Sequence, residues 1–219
     1  METLVYSDSV PNIDLDPLGG EETVIFDNYV FAMEGLYNLI VDIPLAVDDV
    51  TNNNIKKLGI GVDNTKPTSS HTLSPATPDG LNGWYVSDLT VTLDAQDGDQ
   101  IFQSGVQEII YKVNGVQHTI AGDHGSFKIT EDGENIPVEY WAVDEVGNAE
   151  SHHTFTVDMD QTKPEIEMTY EVTGGNMIQG WEFTFTADAN DATSGMELVD
   201  FYFGSELEIT IPGAGPTYQ

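Results

Sequence analysis

A long-range internal repeat constrains the fold of this 219-residue chain more than any other feature of its sequence. The segment VDNTKP at 62–67 recurs as MDQTKP at 159–164, a spacing of 97 residues. The same spacing carries the Gly-Trp pair at 83–84 onto the pair at 180–181. A period of about 100 residues is the size of a whole small domain, so the sequence predicts consecutive copies of one module.

A second shared pattern lies further along each copy. An aspartate is followed by a Ser-Gly pair at Asp97 with Ser104-Gly105 and at Asp191 with Ser194-Gly195. The interval is four residues longer in the first copy. The two copies therefore share several separated motifs, not one short match.

Local patterning predicts strands throughout the chain. Apolar and polar residues alternate along Leu89–Leu93, Phe155–Val157 and Phe183–Thr186, as expected for strands with one buried face. Asn114-Gly115 follows the predicted strand 108–113 and predicts a hairpin with a type I′ turn, in which both turn residues have positive φ. No apolar stripe with helical spacing is longer than two turns. The fold class is therefore predicted to be all-β.

Residues 64–161 resemble the immunoglobulin-like modules repeated along large bacterial and archaeal surface proteins. The resemblance rests on an opening TKP followed in order by GWYVSDLTVTL, SGVQEIIYKVNG, FKITEDG and EYWAVDEVGN. It implies tandem immunoglobulin-like β-sandwiches of about 100 residues each. The resemblance carries no catalytic or ligand-binding motif.

The flanking segments look incomplete. Residues 1–63 resemble the C-terminal half of a CARDB module, another immunoglobulin-like sandwich, through LDPLGGEETVIF at 15–26 and GLYNLIVD at 35–42. Residues 162–219 begin a second copy of the module and extend 58 residues into a repeat of 97. We call 1–63, 64–161 and 162–219 the first, second and third segments.

Two explanations of the incomplete segments remain open. The expectation that we favour is that the chain is a piece of a longer exported polypeptide, because the modules of the families it resembles are whole. The start of the chain also lacks the features of a signal peptide. Alternatively, the open ends are functional. A sandwich that lacks strands exposes unpaired edges, and a strand from another copy then completes it, giving a homo-polymer by strand complementation.

Charge excludes several classes of partner. Six lysines and no arginine stand against 38 acidic residues, a formal net charge of −32. Binding to nucleic acid needs a basic face, and docking to anionic lipid needs a polybasic stretch. Hydrophobic residues make up 39% of the chain, too many for a disordered acidic tail. Cysteine is absent, which removes disulfides and thiolate chemistry.

The histidines do not predict catalysis. His124 has Asp123 and Ser126 as neighbours, but the members of a catalytic triad usually converge from separate elements. His152 and His153 are adjacent on a predicted strand, so their side chains point to opposite faces and cannot chelate one ion. We expect no catalytic residues, no organic cofactor and no enzymatic activity.

Calcium is the one ligand that the sequence suggests. Asp94, Asp97 and Asp99 place three carboxylates in six residues of a predicted loop, and hard cations prefer several oxygen ligands on a bendable loop. The EF-hand spacing is not met, and aspartate is also common in ordinary turns. Other acidic clusters precede each TKP motif, at Asp63 and at Asp158 with Asp160, where ions would bridge neighbouring modules.

The aromatic residues have two interpretations. Six of them could form a platform for stacking sugars: Trp84, Tyr85, Tyr111, Tyr140, Trp141 and Trp181. Since sandwich cores commonly contain tryptophan, we expect most of these rings to be structural.

These observations together predict a non-catalytic, extracellular module of a prokaryotic cell-surface protein. Its work would be structural or adhesive, as a spacer, a stalk, or a surface-layer or filament subunit. Its partners would be neighbouring modules or other copies of the same protein. The alternatives are an accessory module of a large secreted hydrolase and a calcium-dependent adhesion module.

Overall fold

The computed structural model describes residues 28–42, 55–98, 102–212 and 217–218, together with the single residues 9, 23 and 25. The chain divides into two compact units, 1–65 with 100–102 and 66–99 with 103–219. The described residues form strands and their connections and contain no α-helix. The predicted all-β fold class is confirmed.

The first unit contains one described hairpin. Strand β1, Gly35–Asp42, pairs antiparallel with β2, Ile55–Val62, and Leu39 lies opposite Leu58. Opposite residues in an antiparallel pair share a face. One face of this hairpin therefore carries mostly apolar side chains: Tyr37, Leu39, Val41, Leu58, Ile60 and Val62.

The second segment folds into two sheets. The first sheet has the order β3-β5-β8 and consists of Thr68–Ser74, Leu89–Gln96 and His124–Ile129. The second sheet has the order β4-β10-β9-β6-β7, and its strands in chain order are β4 Trp84–Tyr85, β6 Val106–Val113, β7 Val116–Ala121, β9 Gly133–Asp144 and β10 His153–Met159. Strand β4 lies parallel to β10, and every other pair is antiparallel. A short 3-10 turn, Leu81–Gly83, precedes β4.

The two sheets bury one apolar core between them. Leu89, Val91 and Leu93 of β5 have no exposed surface, and the intervening threonines are half-buried, so the predicted alternation is confirmed. The second sheet contributes the facing residues: Ile109, Ile136, Val138, Tyr140, Ala142, Val157 and Met159. Burying one such aliphatic side chain stabilises a fold by about 1.5–3 kcal/mol, so this two-sheet core holds the segment together.

The predicted hairpin at Asn114-Gly115 is confirmed. Val113 pairs with Val116, which leaves a two-residue loop. Asn114 has φ of 50° and Gly115 has φ of 79°, the positive pair that a type I′ turn requires.

The adjacent rings of Tyr140 and Trp141 lie on opposite faces of β9. Tyr140 belongs to the core. Trp141 is stacked on His152 with 3.8 Å between ring centroids, and the Lys112 ammonium lies 5.0 Å from its ring. Trp141 is only 8% exposed, so its ring is not available as a stacking surface for a sugar.

The third segment forms two smaller sheets. Strands β11 Glu165–Asn176, β12 Gly180–Asn190 and β15 Thr217–Tyr218 have the order β11-β12-β15. Strands β13 Leu198–Phe203 and β14 Glu206–Pro212 form a separate hairpin. The described core of the third segment is small and consists of buried Ala189 and Val199, with Met196, Phe201 and Ile211 packed against them.

A buried glutamate joins the two sheets of the second segment. The Glu150 side chain is 7% exposed and accepts hydrogen bonds from the Ala142 N–H at 2.8 Å and the Ser69 N–H at 3.1 Å. It also contacts the Ser69 hydroxyl and lies 3.1 Å from His153 Nε2. Because Ser69 is on β3 and Ala142 is on β9, one carboxylate ties the first strand of the segment to the opposite sheet.

Next to this glutamate, His71 stacks on Phe155 with 4.2 Å between ring centroids, and its Nδ1 lies 2.9 Å from the Tyr140 hydroxyl. Burial, and then the nearby charge of His153, lower the pKa of His71 below 6.5. The unfolded chain therefore binds more protons than the folded chain just below pH 6.5. Stability falls as the pH drops from 6.5 through the lowered pKa of His71.

We expect the melting temperature to fall less between pH 7.5 and pH 5.5 in His71→Gln than in the wild type, because the substitution removes the proton uptake by His71 on unfolding. Thermal melts followed by circular dichroism at each pH measure the difference. The matched control is His118→Gln on β7, whose side chain is exposed. Equal pH dependence in wild type and His71→Gln would contradict the prediction.

Candidate functional site

Aspartates accept backbone hydrogen bonds at corresponding places in the repeat. Asp63 Oδ1 accepts from the Thr65 N–H at 3.0 Å, and Asp160 Oδ1 accepts from the Thr162 N–H at 3.0 Å. Such a bond across two residues fixes the turn that leads into each Thr-Lys-Pro. The two copies of the motif therefore have the same local structure.

The aspartate of the shared Asp…Ser-Gly pattern also accepts a backbone hydrogen bond in each copy. Asp97 Oδ2 accepts from the Gly105 N–H at 2.8 Å, and Asp191 Oδ1 accepts from the Gly195 N–H at 3.1 Å. The longer interval in the first copy leaves this bond in place. In each copy, the aspartate of the pattern closes the loop that follows strand β5 or β12.

Three carboxylates accept hydrogen bonds from residues at the junction of the second and third segments, and we call Asp132, Asp160 and Asp191 the junction clasp. Asp160 is 5% exposed, and its Oδ2 accepts from the Ser194 N–H at 3.0 Å. The same N–H lies 3.1 Å from Asp191 Oδ1. The backbone N–H of Asp160 donates to the Tyr85 carbonyl at 2.9 Å. Asp160 therefore ties the second segment to the loop after β12.

Asp132 completes the junction clasp from the turn before β9. It accepts from the Gln161 N–H at 2.7 Å and from the Thr162 hydroxyl. These bonds, the hydroxyl first, lower the pKa of Asp132 below its ordinary value of 3.8. The stabilisation is therefore complete above pH 3.8 and is lost only as the pH falls through the lowered pKa.

A pair of carboxylates, separate from the junction clasp, is buried inside the second segment. Asp144 has no exposed surface and accepts from the Val146 N–H at 3.0 Å, the Asn148 N–H at 2.7 Å and the Asn148 Nδ2 at 2.7 Å. Asp97 is 8% exposed, and carboxylate oxygens of Asp97 and Asp144 lie within 4.8 Å of each other. Two buried carboxylates this close repel when both are ionised. A hard cation bound by their oxygens would relieve the repulsion.

Two of the three aspartates that the sequence grouped as a calcium loop lie in the described residues, and each has a different partner. Asp94 lies on β5, half-exposed, with Oδ1 2.6 Å from His124 Nδ1. Asp97 lies beside Asp144, and Asp99 is outside the described residues. Asp144 is the residue that sequence reasoning did not connect with a cation. In the sequence, Asp144 is only an acidic residue at the start of the turn DEVGN, and nothing there indicates that the end of β9 lies near Asp97.

The adjacent histidines contact different carboxylates. His152 Nδ1 lies 2.6 Å from Glu139 Oε1, whereas His153 Nε2 lies 3.1 Å from Glu150 Oε2. Tyr140 stacks on His153 and Trp141 on His152, which places the two rings on opposite faces of the sheet. The pair does not converge on one ligand.

Comparison with known proteins gives no relative for this chain. No protein family, no curated protein and no solved structure was found to match it. Within the described residues, no helix has the length and apolar character needed to cross a membrane.

We expect Asp160→Asn to lower the free energy of unfolding by about 1–3 kcal/mol, because the substitution weakens buried hydrogen bonds to Thr162 and Ser194 that are made to a charged acceptor. Denaturant unfolding followed by tryptophan fluorescence measures the loss. Asp123→Asn is the control, since it removes the same charge from an exposed side chain. Equal losses in the two variants would mean that the clasp adds no stability beyond its charge.

We expect saturating calcium to raise the melting temperature of the wild type relative to excess chelator, because an ion that binds only the folded state stabilises it. Asp97→Asn removes one of the two buried carboxylates and should abolish the rise, while Asp123→Asn should retain it. Sodium chloride at matched ionic strength controls for general screening. Identical melts with calcium and chelator would show that the calcium prediction is wrong.

Proposed function

We propose that this chain is a non-catalytic, load-bearing part of an extracellular prokaryotic surface protein, built from tandem immunoglobulin-like sandwiches. The observation that carries the proposal is what the two copies of the repeat share. The shared residues are Asp63 and Asp160 before Thr-Lys-Pro, and Asp97 and Asp191 before Ser-Gly, all of which close turns and loops. A spacer or stalk requires module ends of this kind.

The strand order of the second segment supports the immunoglobulin-like assignment. In the immunoglobulin fold, strands A, B and E pair in one sheet and C, F and G in the other. Here β3-β5-β8 faces a sheet in which β6, β9 and β10 are neighbours. The assignment of the third segment as a second copy is supported by β11 and β12, which pair as β3 and β5 do.

The junction clasp supports a role in which geometry between modules matters. Asp132 and Asp160 hold the linker residues Gln161 and Thr162 by backbone hydrogen bonds. Pro164 follows one residue later, after Lys163, and restricts the backbone further. A linker fixed in this way transmits force and orientation from one module to the next, which a flexible tether would not do.

The surface charge supports an exterior location. A net charge of −32 keeps the surface hydrated and resists aggregation, but it also destabilises the folded state unless salt or divalent cations screen it. The buried Asp97 and Asp144 pair favours calcium-dependent adhesion as a second candidate function, since external calcium would then stiffen the module.

Immunolabelling of intact source cells tests the proposal, with antibody raised against this chain. We expect labelling of unpermeabilised cells and loss of the label after mild external protease, because the proposed site of action is outside the cell. An antibody against a cytoplasmic protein gives the permeability control. Labelling that appears only after permeabilisation would contradict the proposed location and, with it, the proposed function.

A further inference from the structure

One face of hairpin β11–β12 is apolar, and it is exposed along β11 and at Phe183 and Phe185 but buried at Ala187 and Ala189. Its cross-strand pairs on that face are Ile166 with Ala189, Met168 with Ala187, Tyr170 with Phe185 and Val172 with Phe183. Tyr170 is 69% exposed and Phe185 is 43% exposed. The opposite face carries glutamate, threonine and aspartate. An amphipathic sheet of this kind is normally stable only when its apolar face is covered.

The second segment shows how the equivalent face is covered. There, β3 and β5 take the places of β11 and β12, and Val91 and Leu93 have no exposed surface. Strands β6, β9 and β10 provide the covering residues. The central covering strand is β9, which pairs with β6 on one side and β10 on the other.

The described part of the third segment contains the counterparts of some of these strands. Hairpin β13–β14 follows Ser194-Gly195 as β6–β7 follows Ser104-Gly105. Strand β15 meets β12 at Asp188 as β8 meets β5 at Asp94. Among the described strands, β13 pairs only with β14, so the edge that corresponds to the β9 side of β6 is open.

A hairpin that matches β9–β10 lies in the first segment. Strand β2 runs into VDNTKP as β10 runs into MDQTKP. The pairing registers also correspond, since Leu58 with Leu39 matches Phe155 with Val138, and Ile60 with Tyr37 matches Val157 with Ile136. In the described part of the chain, β1–β2 is a sheet of two strands, and Leu39 and Leu58 are more than half exposed.

We propose that hairpin β1–β2 of one copy docks onto the third segment of a second copy, with β1 antiparallel to β13. The register of β6 with β9 places Val41 opposite Phe201 and Leu39 opposite Phe203. The apolar face of the hairpin then covers Tyr170, Phe183 and their neighbours. The hairpin and the segment that it covers are different surfaces, so the contact is heterologous and propagates head to tail.

At short range, charge favours the docking of hairpin β1–β2 onto the third segment of another copy. Residues 162–219 contain ten acidic residues and one lysine, whereas β2 carries Lys56 and Lys57, two of the six lysines in the chain. The net charge of −32 opposes approach at long range, so association requires moderate salt to screen it. This proposal deepens the structural role proposed above and rests on it.

Light scattering of the whole chain in moderate salt with calcium gives the first test. We expect the molar mass to rise with concentration through multiples of 23.9 kDa. A mass that stays at 23.9 kDa over the whole series overturns the proposal. That result would leave labelling of intact cells unaffected, so the two proposals fail independently.

Two blocked variants test which surfaces meet. Leu39→Asp disables the hairpin and Phe203→Asp disables the open edge, and both side chains are exposed in the single copy, so folding should be preserved. Each variant alone should remain at 23.9 kDa, and an equal mixture should reach twice that mass and stop. Leu81→Asp, also at an exposed site, should polymerise like the wild type. Polymerisation of either blocked variant, or a monomeric mixture, overturns the proposal.

Cysteine pairs test the register, because the chain has no cysteine of its own. Val41→Cys mixed with Phe201→Cys should form an intermolecular disulfide under mild oxidation, since opposite residues in a sheet come within disulfide range. Ile40→Cys mixed with Phe201→Cys is the matched control, because Ile40 lies on the other face of β1. Equal cross-linking in both mixtures would contradict the proposed pairing.

Discussion

The packing of β5 against β6 and β9 is the contact on which the rest of the second segment depends. Leu89, Val91 and Leu93 alternate along β5 and reach one face of it, and Ile109 and Val138 meet them from the other sheet. Once this core forms, the turns at either end have fixed positions. Carboxylates in these turns can then accept hydrogen bonds from backbone N–H groups and so hold the turns closed.

Much of this arrangement is local in the sequence and could therefore be predicted. The alternation along β5 and the turn at Asn114-Gly115 each depend on neighbouring residues, and both are confirmed. Phe183–Thr186 shows the limit of such reasoning. Alternation correctly places Phe183 and Phe185 on one face, but burial depends on a partner sheet that the pattern itself cannot specify.

The candidate cation pair shows a different limit. Asp97 was identifiable as an acid in a loop, whereas Asp144 comes close to it only because β9 ends near the end of β5. Glu150 is similar, since nothing near it in the sequence indicates that it binds Ser69. Long-range polar contacts depend on the topology of the fold. The acidic residues that make structural contacts can therefore be distinguished from the many solvent-exposed ones only once the fold is known.

The bond from Glu150 to Ser69 also affects the timing of folding. The two residues are 81 positions apart, so the first strand cannot be fastened to the opposite sheet until nearly the whole segment has been synthesised. At ribosomal rates of 5–20 residues per second, that interval lasts about 4–16 s. The strands of the third segment are then synthesised next to this first copy of the repeat, which can pair with them wrongly. Differences between the copies, such as Leu93 against Ala187, reduce this mispairing during biosynthesis.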